Sequence, residues 1–124
     1  MNLIEILGIL GVHWIADFVF QNDKMAQGKS KNWTDLLNHT TLYSSVWFCI
    51  GVALCIFTKI IFIQVFMFWI VTFLSHTATD YYTSRVNSKL WEEKKVHQFF
   101  VSIGFDQWLH YAQLFTTYWI LTKQ

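Results

Sequence analysis

Apolar residues dominate four stretches of the chain, and short polar stretches separate them. The apolar stretches cover about residues 3–20, 36–58, 60–82 and 99–121. Each is close to the roughly 20 residues that an α-helix needs to cross the hydrocarbon layer of a bilayer. A soluble bundle would need a charged stripe on each helix, and the second stretch in particular has none. The pattern therefore predicts an all-α fold, a bundle of four transmembrane helices that forms a single integral membrane domain over residues 1–124.

The composition also favours a lipid environment. The chain is 54% hydrophobic and 19% aromatic but only 14% charged, whereas soluble domains carry about 25% charged residues. A formal net charge of +1 argues against a partnership with nucleic acid. The sequence contains no proline, which predicts helices without forced breaks. The first five residues include no basic group, so we expect the first apolar stretch to be retained and not cleaved as a signal peptide.

The basic residues predict the orientation of the helices. Seven of the nine Lys and Arg residues fall in two predicted loops, residues 21–35 and 83–98, and only Lys59 and Lys123 fall on the opposite face. Basic residues concentrate in cytoplasmic loops of membrane proteins. We therefore expect a multi-pass protein with both loops in the cytoplasm, both termini on the non-cytoplasmic side and the lipid bilayer as its main partner.

Histidine and aspartate residues interrupt the apolar stretches. Three His/Asp pairs are spaced by four residues, and that spacing puts both members of a pair on one face of a helix. One further histidine completes a set of seven: His13, Asp17, His39, His76, Asp80, Asp106 and His110. On the predicted topology all seven lie in the cytoplasmic half of the bundle. An ionised aspartate within a span costs about 2.5–3.5 kcal/mol, so we expect these groups to face one another inside the bundle.

These side chains are suited to binding a metal ion. Imidazole nitrogen and carboxylate oxygen are both ligands of Zn²⁺ and similar ions, and helical ligand pairs recur in such sites. One pair alone would favour a polar clamp or a proton relay, but three pairs at one depth predict a divalent metal, with zinc favoured and one or two ions bound. All seven residues are candidate ligands. The candidates for acid–base chemistry and for orienting the substrate are Asp17, His39, Gln21 and Gln107.

Three motifs extend this pattern over the whole chain. They are the run His13–Gln21, the run Ser75–Tyr81 and the run Phe105–His110, with His39 between the first two. Together they resemble a family of small four-helix membrane proteins of bacteria and phages whose function is unknown. They are similar, more distantly, to predicted membrane-bound metal-dependent hydrolases. The resemblance implies a bacterial inner (plasma) membrane protein with functional roles for His13, Asp17, Gln21, His39, His76, Asp80, Asp106, Gln107 and His110.

Three functions are compatible with these observations. The first is a membrane-embedded metal-dependent hydrolase of a phosphoester-type or lipid-linked substrate, in which Lys31 and Arg85 on the cytoplasmic rim could attract an anionic lipid head group or a nucleotide. The second is a transporter or channel for protons or divalent cations. Four helices rarely form a pathway alone, although a homo-oligomer could. The third is a non-catalytic membrane interaction protein whose metal holds the helices together.

Overall fold

Helices account for nearly all of the computed structural model, which describes residues 1–123. The elements are α1 (Leu3–Trp14), a π-helical turn (Ile15–Val19), α2 (Asp23–Gly28), α3 (Trp33–Phe57), α4 (Phe62–Glu92) and α5 (Val96–Thr122). Both α3 and α5 pack against α4, and α1 with its π-helical turn packs against α3 and α5. The prediction of an all-α fold is confirmed. The four long segments thus surround a common interior.

Asparagine side chains determine where three of the helices begin. The Asn2 side chain accepts a hydrogen bond from the Glu5 amide, and the Glu5 carboxylate accepts one from the Asn2 amide. This reciprocal pair satisfies backbone donors that a helix start otherwise leaves unpaired. Asn22 and Asn32 cap α2 and α3 through their side-chain oxygens. Because α2 and α3 each have their own cap, the segment between α1 and α3 folds as a distinct helical turn.

The third long helix extends further than predicted. It was expected to end near residue 82, but α4 continues to Glu92, so most of the predicted loop at 83–98 is helical. The charged residues there mark the end of the apolar stretch and not the end of the helix, since the segment has no glycine or proline to stop it. The reversal takes place at Lys94, whose φ of 56° is a left-handed conformation typical of helix ends.

The first long segment is not one uninterrupted α-helix, as the absence of proline had suggested. The α-helix ends at Trp14, and a π-helical turn follows in which the Phe20 amide donates to the Ile15 carbonyl, five residues back, at 3.0 Å. Such wide turns are rare and are frequent at functional sites. Here the turn carries Asp17, only 3% exposed, towards α3. The predicted loop at 21–35 also needs correction, because it contains α2 and the first residues of α3.

The interior of the fold is more polar than apolar. Among the described residues, thirteen buried side chains are polar or charged and seven are hydrophobic. The buried apolar cluster consists of Ile9, Ala16, Tyr43, Trp47 and Leu114. Large apolar side chains, in contrast, are exposed along each of the long helices. This distribution is the reverse of that in a water-soluble domain, where large apolar side chains are the ones most often buried.

Two helices, α3 and α4, are long and apolar enough to cross a membrane. Helix α1 has only 12 residues before the π-helical turn, and α5 carries several polar side chains within its apolar sequence. Length and composition thus indicate membrane association for the central hairpin of α3 and α4. The arrangement of four spans with both termini outside stays a prediction.

A glycine sets how closely α3 and α4 approach. A Cβ atom at Gly51 of α3 would lie 2.6 Å from Val65 Cγ1 of α4, a distance at which one of the two groups must move. Gly104 of α5 makes a matched comparison because an added Cβ atom would meet nothing within 4 Å. The two glycines therefore differ in packing while both lie inside long helices.

We expect Gly51→Ala to lower the free energy of unfolding in detergent by about 1–3 kcal/mol, because the added methyl group overpacks the α3–α4 contact. Gly104→Ala should raise it by about 0.5–1 kcal/mol or leave it unchanged, because alanine is the better helix former. Unfolding followed by circular dichroism measures both effects. Val65→Ala should restore part of the stability lost at position 51, and equal effects at the two glycines would contradict the proposed close approach.

Candidate metal centre

The seven histidine and aspartate side chains identified in the sequence meet in the interior of the fold. Segments α1, the π-helical turn, α3, α4 and α5 each contribute at least one of them. None is more than 7% exposed: His13, Asp17, His39, His76, Asp80, Asp106 and His110. Ionisable groups are rarely buried so completely unless they are paired. The structure therefore brings the predicted candidates to one place, and their mutual geometry decides what they can bind.

Four of the seven form what we call the central cluster: Asp17, His39, His76 and Asp80. Each offers a ligand atom, and the four atoms lie within 4.8 Å of one another. His39 Nε2 lies 3.1 Å from Asp17 Oδ1 and 3.1 Å from Asp80 Oδ2. It also lies 3.1 Å from His76 Nε2. His76 Nε2 in turn lies 3.5 Å from Asp17 Oδ1 and 3.7 Å from Asp80 Oδ2.

These separations match those within the ligand shell of a small cation. A tetrahedral site with metal–ligand bonds of about 2.0–2.1 Å has ligand–ligand distances of about 3.3–3.4 Å. Five separations in the central cluster lie between 3.1 and 3.7 Å and so bracket that value. The four residues come from three different segments, so the match is not a consequence of local helix geometry.

Hydrogen bonds alone do not satisfy the central cluster. His39 Nε2 faces three acceptor atoms, but a ring nitrogen carries at most one proton and can donate to one of them. Within residues 1–123, Asp17 Oδ1, which faces this cluster, has no hydrogen-bond partner. Buried polar atoms are otherwise almost always paired. The residues present therefore fit a bound divalent cation, which the central cluster could hold.

Two further groups of ligand atoms overlap the central cluster. Asp80, Asp106 and His110 form one, and His13, Asp17 and His110 form the other, each with its ligand atoms within 4.8 Å of one another. Asp17 and Asp80 thus belong both to the central cluster and to a neighbouring group. All seven predicted ligand candidates are included in these three groups. The centre is therefore larger than one four-coordinate site requires.

Gln107 connects side chains of the centre that come from α1, the π-helical turn and α5. Its Nε2 donates to Asp17 Oδ2 at 3.3 Å and to Asp106 Oδ2 at 3.1 Å, and its Oε1 lies 2.8 Å from His13 Nε2. Carboxylates only accept hydrogen bonds, so the amide nitrogen must face them and His13 Nε2 must carry a proton. The Nδ1 atom of His13 then accepts from the Tyr43 hydroxyl at 2.7 Å. This chain of bonds orients His13 and both carboxylates.

Other candidates from the sequence lie further from the centre. Gln21 borders a cavity beside the centre, and its buried Oε1 has no hydrogen-bond partner among the residues described. Lys31 borders the same cavity. The Arg85 guanidinium instead donates to the Tyr81 carbonyl at 2.6 Å and lies over the Tyr81 ring. Of the two rim residues, Lys31 is therefore positioned to meet a ligand in this cavity.

The cavity has a volume of about 710 Å³ and leads to one side of the centre. Residues 26–31 form part of one wall, the C-terminal part of α4 and the start of α5 form the other, and Asp17, Asp106 and Gln107 also line it. This volume lies in the range of small-molecule sites. The side of the centre that contains Asp106 is therefore open to a ligand.

Lys29 belongs to the centre, although its sequence context marked it only as a basic loop residue. Its ammonium lies 2.8 Å from Asp80 Oδ2, and its side chain is 18% exposed. Burial disfavours the charged form, but attraction to Asp80 and Asp17 outweighs it and raises the pKa of Lys29. Gly28 beside it packs directly against Asp35. No local motif predicts the contact between Lys29 and Asp80, because it depends on how this segment folds onto α3.

Fold and site together define an all-α protein with a buried histidine–aspartate centre that could hold a metal ion. The chain belongs to the family described as a protein of unknown function (DUF3307), which matches residues 6–124. No curated protein and no solved structure matches it. The match agrees with the expected membership of a family of unknown function. Because it gives no activity, activity must be argued from the geometry of the centre.

Tyr43→Phe tests the hydrogen-bond chain through His13. Removal of the hydroxyl leaves buried His13 Nδ1 unpaired, and we expect the free energy of unfolding to fall by about 1–3 kcal/mol. Tyr111→Phe is the control, because the Tyr111 ring also packs against His13, at 4.7 Å between centroids, and only Tyr43 bonds His13 through its hydroxyl. Thermal unfolding in detergent compares the two variants, and equal losses would contradict the assigned orientation of His13.

Proposed function

We propose that the chain is a membrane-embedded, metal-dependent hydrolase that acts on a phosphoester-type or lipid-linked substrate reached from the cytoplasmic side. One observation carries the proposal. The ligand atoms of the central cluster lie at the separations of a cation shell, directly beside a cavity lined by Asp17 and Asp106. Metal and substrate could therefore meet at one edge of the centre.

The proposed membrane arrangement has four spans in a bacterial inner membrane, with both termini outside. The exposed apolar side chains on the long helices support it, because such surface is favourable against lipid and costly against water. Residues 3–19, taken together, are at the short end of the range of spanning helices. Helix α4 continues twelve residues past Asp80, about 18 Å at 1.5 Å per residue. Its end would project into the cytoplasm, where it forms the cavity wall.

Zinc is the ion that the ligand set favours. The central cluster offers two imidazole nitrogens and two carboxylate oxygens, a combination that suits Zn²⁺. Magnesium and calcium prefer shells made of oxygen. The separations also agree with tetrahedral geometry, the usual geometry of zinc with four protein ligands. The proposed cofactor is therefore zinc, and His39 and His76 would serve to hold it.

A bound metal would lower the pKa of a coordinated water towards about 7 and polarise the attacked phosphorus–oxygen bond. Asp106 is suited to accept the proton of the attacking water, since it borders the cavity. The Thr83 hydroxyl donates to its Oδ1, and Gln107 donates to its Oδ2. These two donors fix the carboxylate, and fixed geometry is what a general base requires. Gln107 would act as a positioning residue.

The cavity wall favours an anionic substrate. Lys29 and Lys31 border the cavity on the side of the segment between α1 and α3, and Trp91, Phe99 and Phe100 border it elsewhere. Ammonium groups attract phosphate, while aromatic rings offer apolar surface. A nucleotide, an anionic lipid head group or a lipid-linked phosphate all combine these two features. A phosphoester is the chemistry they share.

The structure favours transport of protons or divalent cations less than it favours hydrolysis. On the side of the chain termini the centre adjoins buried apolar side chains, among them Ile9, Trp47 and Leu114. Ile9 lies one helical turn before His13, and Leu114 lies one turn after His110. A path for ions across the membrane would have to cross this apolar cluster, where an ion pays a large desolvation cost. The hydrolase needs access from one side only.

The test is a hydrolysis assay on purified protein in detergent, with p-nitrophenyl phosphate, a nucleoside triphosphate and an anionic phospholipid as substrates. We expect activity that a chelator removes and Zn²⁺ restores. Asp106→Asn should lower the rate by about 100-fold or more, because it removes the proposed base. His97→Ala, in an exposed position, should have no effect. Turnover that is insensitive both to chelation and to Asp106→Asn would exclude the proposed mechanism, and ion flux in liposomes without turnover would favour transport.

Lys29→Met tests the role of the partly buried Lys29 ammonium in substrate binding. The variant keeps an apolar side chain of similar length but removes the charge, so we expect KM for the phosphoester to rise by about tenfold or more. Lys29→Arg should restore part of the affinity, because it retains the charge. Lys24→Met is the control, since Lys24 is 80% exposed. Equal KM values for the Lys24 and Lys29 variants, both confirmed as folded by thermal unfolding, would show that Lys29 does not bind substrate.

A further inference from the structure

We propose that the centre holds two metal ions and that Asp80 is shared between them. One ion would occupy the central cluster, and the other would be held by Asp80, Asp106 and His110. In this two-metal form Asp106 would be a ligand, and it would act as general base only while the second ion is absent. This inference rests on the proposed metal-dependent function and specifies its chemistry, because paired metal ions are suited to phosphoryl substrates. The three observations that support it concern Asp80, His110 and Asp106, in that order.

The two carboxylate oxygens of Asp80 face different histidines. Oδ2 lies 3.1 Å from His39 Nε2 in the central cluster, whereas Oδ1 lies 3.4 Å from His110 Nε2. An ion in the central cluster uses Oδ2, and Oδ1 stays directed at His110. A carboxylate with one oxygen towards each of two ligand sets is arranged to bridge two cations. Asp80 is 1% exposed, so both contacts lie away from bulk solvent.

His110 is buried without a hydrogen-bond partner. It is 2% exposed, and neither of its ring nitrogens is hydrogen-bonded within residues 1–123. It is not a member of the central cluster. Asp80 Oδ1 lies 3.4 Å from its Nε2, and Asp106 Oδ2 lies 3.7 Å from its Nδ1. One ligand atom each of Asp80, Asp106 and His110 lies within 4.8 Å of the other two. The imidazole also lacks the hydrogen bonds that a buried ring normally makes, so the three residues have the donor set of a cation site.

The two proposed sites differ in how open they are. The central cluster supplies four ligands, which complete a tetrahedral shell. The second group supplies three, Asp80, Asp106 and His110, and Asp106 borders the cavity. Three protein ligands with one free position are typical of catalytic zinc, whereas four are typical of structural zinc. With both ions bound, the second is therefore the one that would meet the substrate, and the first would hold the helices in register. With one ion bound, the central site would have to expand to five ligands to take up a water.

The charge of the centre indicates which ion binds more tightly. One divalent ion together with Lys29 balances the three carboxylates of Asp17, Asp80 and Asp106. A second divalent ion leaves an excess of two positive charges in a buried place, which is unfavourable unless an anion accompanies it. A phosphate dianion supplies that charge. We therefore expect the second ion to bind more weakly and to be coupled to phosphate, with each increasing the affinity of the other.

Zinc binding to the purified full chain in detergent tests this inference by isothermal titration and by metal analysis after dialysis. We expect two equivalents per chain, one tight and one weak. Inorganic phosphate should tighten the weak one by about fivefold or more. His110→Ala should lose only the weak equivalent, His76→Ala should lose the tight one, and Asp80→Ala should lose both. His97→Ala, in an exposed position, should retain both.

The outcomes separate this inference from the proposed function. A single equivalent in the wild-type chain, unaffected by phosphate and by His110→Ala, would overturn the second site and leave a hydrolase with one metal. No bound metal in the wild-type chain would overturn both. Thermal unfolding in detergent checks that each variant is folded. If His110→Ala does not fold, the wild-type stoichiometry with and without phosphate decides the question.

Discussion

The burial of three carboxylates among four imidazoles is the constraint on which the rest of this structure depends. A buried charge is tolerated only with partners, so each long helix must turn the face that bears these groups inwards. The exteriors of the helices are apolar as a result, which agrees with the proposed membrane environment. The close contact at Gly51, the π-helical turn and the bonds made by Gln107 all serve to bring the helices near enough for these groups to meet.

Much of the centre could be predicted because the helical period links sequence to position. A His and an Asp four residues apart share a face, so each of the three pairs was a visible exception within an apolar stretch. The structure differs where tertiary contacts override local signals. Charged residues after residue 82 suggested a loop, although α4 continues to Glu92. The π-helical turn could not be predicted, because no proline or other local sequence signal marks it. Lys29 reaches the centre only because Gly28 allows its segment to pack on Asp35.

The geometry also divides the centre into a rigid part and an accessible part. His39 and His76 are fully buried where α3 and α4 pack together, so little can move there without disturbing the whole fold. Asp106 lies on α5 and lines the cavity, which residues of α2 and the C-terminal part of α4 also border. A ligand would therefore reach the centre at Asp106, while His39 and His76 stay enclosed. The histidines between α3 and α4 therefore contribute to stability, and the side of the centre with Asp106 is available to bind a ligand.

The contact between Lys29 and Asp80 has a consequence for how the chain is assembled. The two residues are 51 positions apart, so the ammonium exists well before its partner carboxylate has been synthesised. Asp17 and His39 likewise precede His76, Asp80 and the residues of α5. On the proposed membrane arrangement, the early helices would enter the bilayer with polar side chains that still lack their partners. Helices α4 and α5 supply the last members of the centre, so the centre can form only after both have been synthesised.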